Sequence, residues 1–496
     1  MNATLPGAGL VAHPDKFFID GAWVVPSSGS TFEVITPSTE DVFLRVAEAQ
    51  APDVERAVAA ARRAFDHGPW TRMSHAERAG YLRAIAERVR TRATEFAEIW
   101  TREVGVVSAV AHPMSLRVAE TYDYYASLAD TFAFEEKVIP KGPGNVGFVT
   151  REPVGVVAAI VPWNGPLFLM SWKVAPALLA GCTVILKASP EAPAAALIMA
   201  EIMQAVGLPN GVFNVLTADR GVSELLISHP GVDKVTFTGS SATGKRIAAI
   251  CGARMARYTM ELGGKSAALV LDDYDLETVA QSLSGSARMM TGQVCASLTR
   301  VVVARHRHDD LVEAMAEAFR TIRVGDPFSA DTDMGPLAMA RQRERVEGYF
   351  AKGRAEGATV ATGGGRPSHL SRGYFVEATV FGNVHNSMAI AQEEIFGPVV
   401  SVIPADNEQH AVEIANDSIY GLNASVFTND ADHAYRVARQ LRSGTVGHNA
   451  YRVDFSLAFG GFKQSGVGRE GGVEGLLPFL ETKSIILDNW PRHAAD

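Results

Sequence analysis

Cysteine is scarce in this chain: Cys182, Cys251 and Cys295 are the only three among 496 residues. So sparse and odd a set excludes a disulfide-built scaffold and fits a reducing compartment, the cytoplasm. Long apolar runs are also missing. The longest, such as Val154 to Pro162, are strand-sized and fall short of the roughly 20 residues a membrane helix needs. Met1 to Pro14 carries no basic cluster leading into an apolar stretch, so no secretory signal is expected. Positive charge is in deficit, with 46 Lys and Arg against 55 Asp and Glu and a net charge of -9. That balance argues against nucleic acid or an anionic membrane as partner. No repeat or low-complexity segment breaks the chain, Gly363 to Gly365 reads as a loop, and no metal site is expected.

What is present is the make-up of a globular protein, 47% hydrophobic and 20% charged, long enough for two or three domains. Pro52 to Arg102 reads as two helices, with apolar residues such as Val54, Val58, Ala61 and Phe65 at helical spacing and a break at Pro69 and Trp70. From Val154 the pattern becomes short β-branched runs alternating with helical ones. Strands are expected at Val154 to Val161, Thr183 to Leu186, Val212 to Leu216 and Val235 to Thr238, and helices at Leu167 to Leu179 and Ala194 to Val206. A second such region places strands at Ala267 to Leu271, Val301 to Ala304, Phe375 to Val380 and Val399 to Ile403, with a helix at Asp309 to Ile322. Strand–helix alternation implies parallel sheets covered by helices, and two such units suggest a cleft between them.

Four short stretches carry candidate chemistry. Phe237-Thr-Gly-Ser-Ser-Ala-Thr-Gly-Lys245 ends a strand in a Gly-Ser turn before a helix, where backbone N–H groups meet a phosphate or merely shape a turn. It is not a GxGxxG fingerprint. Thr291-Gly-Gln-Val-Cys-Ala-Ser297 sets Cys295 behind glycine and polar residues, as where a loop meets a helix start, and a helix dipole there lowers a thiol pKa. Cys182 and Cys251, in strand-like and helical runs, fit the role of small core residues. Tyr258-Thr-Met-Glu-Leu-Gly-Gly-Lys265 holds Glu261 in an apolar run, where burial makes a carboxyl a usable general base, unless it is simply salt-bridged. Val161-Pro-Trp-Asn-Gly-Pro166 pins Asn164 between two prolines; its amide either stabilises an oxyanion or satisfies a turn.

Together, and in this order, these residues resemble the aldehyde dehydrogenase superfamily over nearly the whole chain. The matching motifs are Pro162-Trp-Asn-Gly-Pro166, Phe237-Thr-Gly-Ser240, Met260-Glu-Leu-Gly-Gly-Lys265, Gly292-Gln-Val-Cys295, Glu393-Glu-Ile-Phe-Gly-Pro398 and Phe459-Gly-Gly-Phe-Lys463. The resemblance implies two Rossmann-like α/β domains plus a small β oligomerisation arm. The cofactor-binding domain would span 1–133 and 152–262, the catalytic domain 263–463, and the arm 134–151 and 478–496. It implies oxidation of an aldehyde to the acid with NAD(P)+ through a thioester on Cys295. Asn164 and the Cys295 N–H would hold the oxyanion, Glu261 would activate water, and Lys173 and Glu470 would relay protons. Trp163, Lys187, Ser189, Gly239, Ser240, Leu262, Glu394 and Phe396 would bind the cofactor: Ser240 at the pyrophosphate, Lys187 at the adenosine ribose, Glu394 and Phe396 at the nicotinamide. A homodimer or homotetramer is implied as well.

Two departures from the family pattern stand out. Relatives commonly place a ribose-binding glutamate three positions after the lysine, where this chain has Pro190, with Glu191 one place later. The usual carboxylate repels a 2′-phosphate, so NAD is the expected cofactor with NADP as the alternative. Gly165 stands where many relatives have an aromatic residue. Around the expected substrate tunnel, Leu169, Trp172, Met289, Met290, Phe455 and Phe459 are large and apolar, which favours a medium-sized apolar or aromatic aldehyde; Arg452 offers a carboxylate partner beside Asp454. The enzymatic rival is a CoA-acylating semialdehyde dehydrogenase, whose members generally lack the base that Glu261 supplies. A non-catalytic member of the fold would be expected to lose Cys295 or Glu261. A nucleotide-binding protein with other chemistry leaves Cys295 and Asn164 unexplained.

Overall fold

The computed structural model describes residues 5, 7 and 9–491. Residues 1–4, 6 and 8 of the expected cofactor-binding domain, where no secretory signal was expected, and 492–496 of the expected arm lie outside the described residues. Two large sheets organise the chain. The first has eight strands in the order Gly466–Val467, Arg257–Glu261, Lys234–Thr238, Val156–Ile160, Thr183–Ala188, Phe213–Thr217, Phe17–Ile19 and Ala22–Val24. Its five central strands are parallel and its edges antiparallel. Successive strands run outward from Val156–Ile160 in one direction, and then Lys234–Thr238 returns to its other side. The strand order therefore reverses between those two neighbours, the place where open α/β sheets form a ligand crevice beyond the strands' carboxyl ends.

The helices follow from local signals. Pro166–Ala180 begins on Pro166, whose missing N–H costs nothing in a first turn. Ser74 and Glu77 form a capping box at the start of His75–Thr91. The N-terminal region differs from expectation: three helices, Ala51–Asp66, His75–Thr91 and Ala93–Val104, replace two, because the backbone at Arg92 (φ -106°, ψ 12°) leaves helical geometry. The expected strand at Val154 narrows to Val156–Ile160, since the Val154 N–H donates to the Phe479 carbonyl rather than joining the ladder.

The second sheet has seven strands, in the order Thr359–Thr362, Thr379–Gly382, Val399–Ala405, Leu298–Ala304, Ser266–Val270, Asn423–Phe427 and Thr445–His448. All neighbours are parallel except the first pair. The strand expected at Phe375 to Val380 begins only at Thr379. Phe375 and Val376 are buried, but the Tyr374 and Glu377 N–H groups donate to the Pro37 and Gly365 carbonyls, so loops take the place of the ladder. A third, antiparallel sheet of Glu135–Val138, Val146–Pro153 and Leu480–Leu487 projects with mostly exposed outer strands. Among the described residues no helix is long and apolar enough to cross a membrane.

The two large sheets meet end to end. Arg257–Glu261 finishes at the carboxyl edge of the first, and after a Leu-Gly-Gly-Lys link Ser266–Val270 starts the second. Ser266 pairs with Leu298, so Cys295 reaches the same seam from the other chain direction.

Candidate active site

Cys295 does not start a helix. It lies in a turn between the 3-10 segment Met289–Gly292 and the strand Leu298–Ala304, so the dipole argument for a low thiol pKa fails. Burial instead pushes the Cys295 thiol up to about 12, with the nearby Glu394 and Glu261 carboxyls adding to it and the N–H groups of Ala296 and Cys295 opposing. A helix terminus contributes roughly 0.3–1 kcal/mol, less than the ~1.4 kcal/mol of one pH unit; it would not have brought such a thiol to neutrality. Of the three free cysteines, Cys182 and Cys251 are buried and Cys295 is half-buried. The backbone leading to it is strained: Met290 (φ 49°) and the β-branched Thr291 (φ 56°) are both left-handed. The Thr291 hydroxyl donates to the Gly335 carbonyl at 3.0 Å and helps hold that turn.

The Asn164 side-chain amide nitrogen donates to the Gln293 carbonyl at 2.9 Å, and the Asn164 backbone carbonyl accepts from Trp100 Nε1 at 2.8 Å. One amide hydrogen is thereby used for orientation, leaving the second for a ligand. Gln293, fully buried, is fixed in turn: its Oε1 accepts from the Ala338 N–H and its Nε2 donates to the Met290 carbonyl. This brace was not visible in the sequence, where Gln293 marks the Gly292-Gln-Val-Cys295 motif but its partners Asn164, Ala338 and Met290 do not show.

Glu261 is 2% exposed, and neither carboxylate oxygen has a hydrogen-bond partner. Burial raises its pKa well above the usual carboxylate range and Glu470 adds to this, while Lys173 and Arg469 oppose. Gly460 (φ 150°) lies against it, and a Cβ there would stand 2.5 Å from Glu261 Oε1. The Lys173 ammonium pairs with Glu470 and donates to Thr238 Oγ1 at 2.7 Å. Thr236 Oγ1 donates to the same Glu470 oxygen at 3.3 Å. The two threonines were not singled out in the sequence, although strand alternation puts both on one face.

The crevice at the strand reversal fits a dinucleotide. Ser240 caps the 13-residue helix Ser241–Ala253 by accepting from the Thr243 N–H, so the helix start faces the crevice beside the Gly239 turn, with Leu262 against Gly244. Trp163 and Phe396 meet edge to face at 5.5 Å, and Phe396 is itself left-handed (φ 62°), its carbonyl accepting from Gln342 Nε2 at 2.7 Å. Glu394 Oε1 accepts from the Gly264 N–H at 3.2 Å, and a side chain at Gly263 would strike the same carboxylate. Burial raises the Glu394 carboxyl to about 7. Lys187 is the penultimate residue of the strand Thr183–Ala188 and buried, its amine lowered to about 8 by burial, with Glu191 and Asp219 opposing. Ser189 donates to Glu191, and Arg341, from the helix Ala340–Ala355, pairs with it across the crevice.

The expected substrate residues divide. Trp172 and Phe459 (ring centroids 5.1 Å apart), with Leu169 and Phe455, pack in one cluster with Cys295, together with Tyr451 and Val453, which the sequence reading had passed over. Met289 and Met290 belong to a neighbouring cluster with Trp163 and Val294. Met290 Cε nonetheless comes within 3.8 Å of a Cβ position on Gly165. Arg452 and Asp454 are exposed, and the Asp454 carboxylate accepts from the Ser456 N–H and hydroxyl.

The sequence model of the aldehyde dehydrogenase family matches residues 23–485. The chain belongs to that family. It is 43% identical to geranial dehydrogenase of Castellaniella defragrans, with 95% of this chain and 98% of that protein aligned. A crystal structure of an aldehyde dehydrogenase from Mycobacterium tuberculosis with NAD+ superimposes with a TM-score of 0.93 at 43% identity, covering 97% and 99% of the two chains. A Pseudomonas syringae aldehyde dehydrogenase variant with NAD+ and octanal gives a TM-score of 0.92 at 39% identity and 98% coverage of both. The fold is therefore that of the aldehyde dehydrogenases, as the motifs implied.

Proposed function

We propose that this chain oxidises a medium-sized, apolar or aromatic aldehyde to its carboxylic acid with NAD+. The observation that carries this reading is the seam between the sheets, where a half-buried thiol, a braced amide and a buried, unpartnered carboxylate converge. The half-buried Cys295 thiol gives its proton to a water molecule as sulfur attacks the aldehyde carbon, and the burial that raises Glu261 makes it a stronger base for the later hydrolysis. The free Asn164 amide hydrogen and the Cys295 N–H hold the resulting oxyanion; one such donor is worth roughly 3 kcal/mol. A nicotinamide, when bound, supplies the hydride acceptor. Lys187, Ser189, Ser240, Leu262, Glu394, Phe396 and Trp163 hold it in the crevice at the strand reversal. The acyl group is left as a thioester on Cys295. Glu261 takes a proton from water as it attacks, the acid departs, and Lys173 with Glu470 carries the proton onward.

The apolar ring of Leu169, Trp172, Phe455 and Phe459 beside the sulfur supports the substrate class. One relative named for geranial and a structure with octanal are in keeping with it. The three unpaired cysteines agree with a cytoplasmic enzyme, and the projecting sheet with a homodimer or homotetramer whose arm comprises 134–151 and 478–496. Residues 1–133 with 152–262 and 263–463 are assigned as cofactor-binding and catalytic domains. The test is NAD(P)H formation with aliphatic, terpenoid and aromatic aldehydes, with either cofactor and with or without CoA. Acid formed without CoA supports the proposal. A strict need for CoA, or silence across the panel with Cys295 reactive to an electrophile, overturns it.

A further inference from the structure

The side chains around Cys295 are apolar almost throughout. Leu169, Val453, Phe455 and Phe459 bring no polar atom to the cluster, and Trp172 brings only its indole N–H. Tyr451 is the exception: it packs in the same cluster as the sulfur and carries a hydroxyl. A tyrosine hydroxyl or tryptophan N–H in such surroundings ordinarily finds a hydrogen-bond partner. Among the described residues neither Tyr451 nor Trp172 forms a side-chain hydrogen bond, and neither polar atom is walled off from solvent as the Glu261 oxygens are. Both donors therefore stay available to whatever lies against the sulfur.

The backbone beneath Tyr451 is braced. The residue follows the strand Thr445–His448 after two intervening positions. The first of these, Asn449, is left-handed (φ 58°), and its side chain is fixed at both ends: Oδ1 accepts from the Thr428 N–H and Nδ2 donates to the Thr428 carbonyl, each at 3.0 Å. Such a conformation persists in a non-glycine residue only where its surroundings enforce it. The second, Ala450, has its carbonyl held by Ser425 Oγ at 3.0 Å. Tyr451 also packs against the core cluster that contains Leu298 and Val301, from the strand that follows Cys295. Burial raises the Tyr451 hydroxyl above the usual tyrosine range, and Cys295 adds to this. The group is thus a donor at any working pH.

We propose that Tyr451 is a specificity-determining residue: its hydroxyl donates to an oxygen on the substrate other than the carbonyl that Cys295 attacks. The substrate class is then an apolar or aromatic aldehyde bearing a hydroxyl or ether oxygen, rather than a pure hydrocarbon one. A hydrocarbon group in that place displaces water from the hydroxyl and leaves it unpaired, whereas an acceptor restores the bond. The bond lies away from the reacting carbon, so it forms in the bound substrate as well as in the transition state and is read in KM more than in kcat. The inference rests on the aldehyde-oxidising reading above and narrows it.

The test uses matched meta- and para-substituted benzaldehydes, methyl against hydroxyl and ethyl against methoxy, with NAD+ and the full chain. The kcat/KM ratio of the oxygenated member to the hydrocarbon member is compared between wild type, Tyr451→Phe and Trp172→Phe, so that the substituent's own electronic effect cancels. In at least one pair the ratio should fall by about fivefold or more in Tyr451→Phe, chiefly through KM. That variant loses one atom that bonds nothing else in the protein, so it should fold. A merely structural disturbance would lower both members of a pair alike and leave the ratio where it was. A ratio unchanged in Tyr451→Phe for every pair overturns the proposal, and so does a fall confined to Trp172→Phe. If wild type oxidises other aldehydes but none of these, the proposed class is wrong while the aldehyde-oxidising reading stands. If it oxidises no aldehyde at all, that reading falls and this inference with it.

Discussion

Cys295 and Glu261 share one desolvated environment, and the opposite tasks proposed for them follow from it. Burial keeps the thiol protonated at rest, near a pKa of about 12, and leaves Glu261 raised well above a normal carboxylate. The thiol is thus inert until a base and an electrophile arrive together. Cys295→Ala should cut turnover at least about a thousandfold while NAD+ affinity, read by fluorescence titration, stays within about twofold, because the cofactor crevice is built elsewhere. Turnover near wild type would refute the covalent route. Glu261→Gln keeps the shape but removes the base, so a rapid NADH burst should precede a steady state slowed by about 10²–10⁴. Loss of the burst along with turnover would place Glu261 in acylation only. Both residue types were legible in sequence, since a lone cysteine after Gly-Gln and a glutamate in an apolar run stand out. The surroundings of Cys295 were not. Polar residues before it look like a helix cap, yet the Leu298 to Ala304 run that follows is claimed by the sheet, whose pairing with Ser266–Val270 is remote in sequence. Gln293 was missed for the same reason: its worth lies in contacts with Asn164, Ala338 and Met290, none of which the sequence states.

Alternating patterns reveal elements, but not which backbone partner each will take. Val156–Ile160 and Thr183–Ala188 were readable because parallel strands buried on both faces are nearly continuous apolar runs. Phe375 and Val376 are equally buried without being strand, since a buried side chain does not require its backbone to join a ladder. Ser108–Thr131 escaped notice as a helix because Pro113 interrupts its pattern near the start. The loop after Thr183–Ala188 bears on cofactor choice. Glu191 directly follows Pro190, and hydrogen bonds from Ser189 and Arg341 outweigh the upward effect of burial to keep it ionised. A carboxylate at the end of this second strand disfavours a 2′-phosphate, whereas a free guanidinium would welcome it. Glu191→Gln should therefore improve NADP+ affinity about tenfold or more with little change for NAD+. Adding Arg341→Ala should erase the gain. Calorimetric titration of both cofactors against the single and double variants decides it, and an unchanged NADP+ affinity in Glu191→Gln would show that Glu191 does not govern the choice.

At the scale of the whole molecule, the projecting sheet is the part that a single chain leaves unfinished. Its central strand, Val146–Pro153, pairs on both sides, so two strands present free edges. Glu135–Val138 has the sequence Glu-Glu-Lys-Val, and charge on an edge discourages pairing. Leu480–Leu487 instead carries Ile485 and Ile486, 36% and 59% exposed, with Trp490 just beyond at 60%. Val138 and Ile139 add further exposed apolar surface on the same arm, Ile139 at 89%. An apolar, unblunted edge is a template for another copy of the chain, and burying it removes a liability that a monomer in water would retain. The chain should therefore sediment as a dimer or tetramer. Ile486→Lys puts a charge on that edge while leaving the eight-residue pairing to Val146–Pro153 in place, so it should lower the mass measured by light scattering toward that of a single chain. The melting temperature should fall with it and become concentration-dependent. A wild-type monomer, or an Ile486→Lys variant that keeps the parental mass, would mean that this edge is not where copies meet.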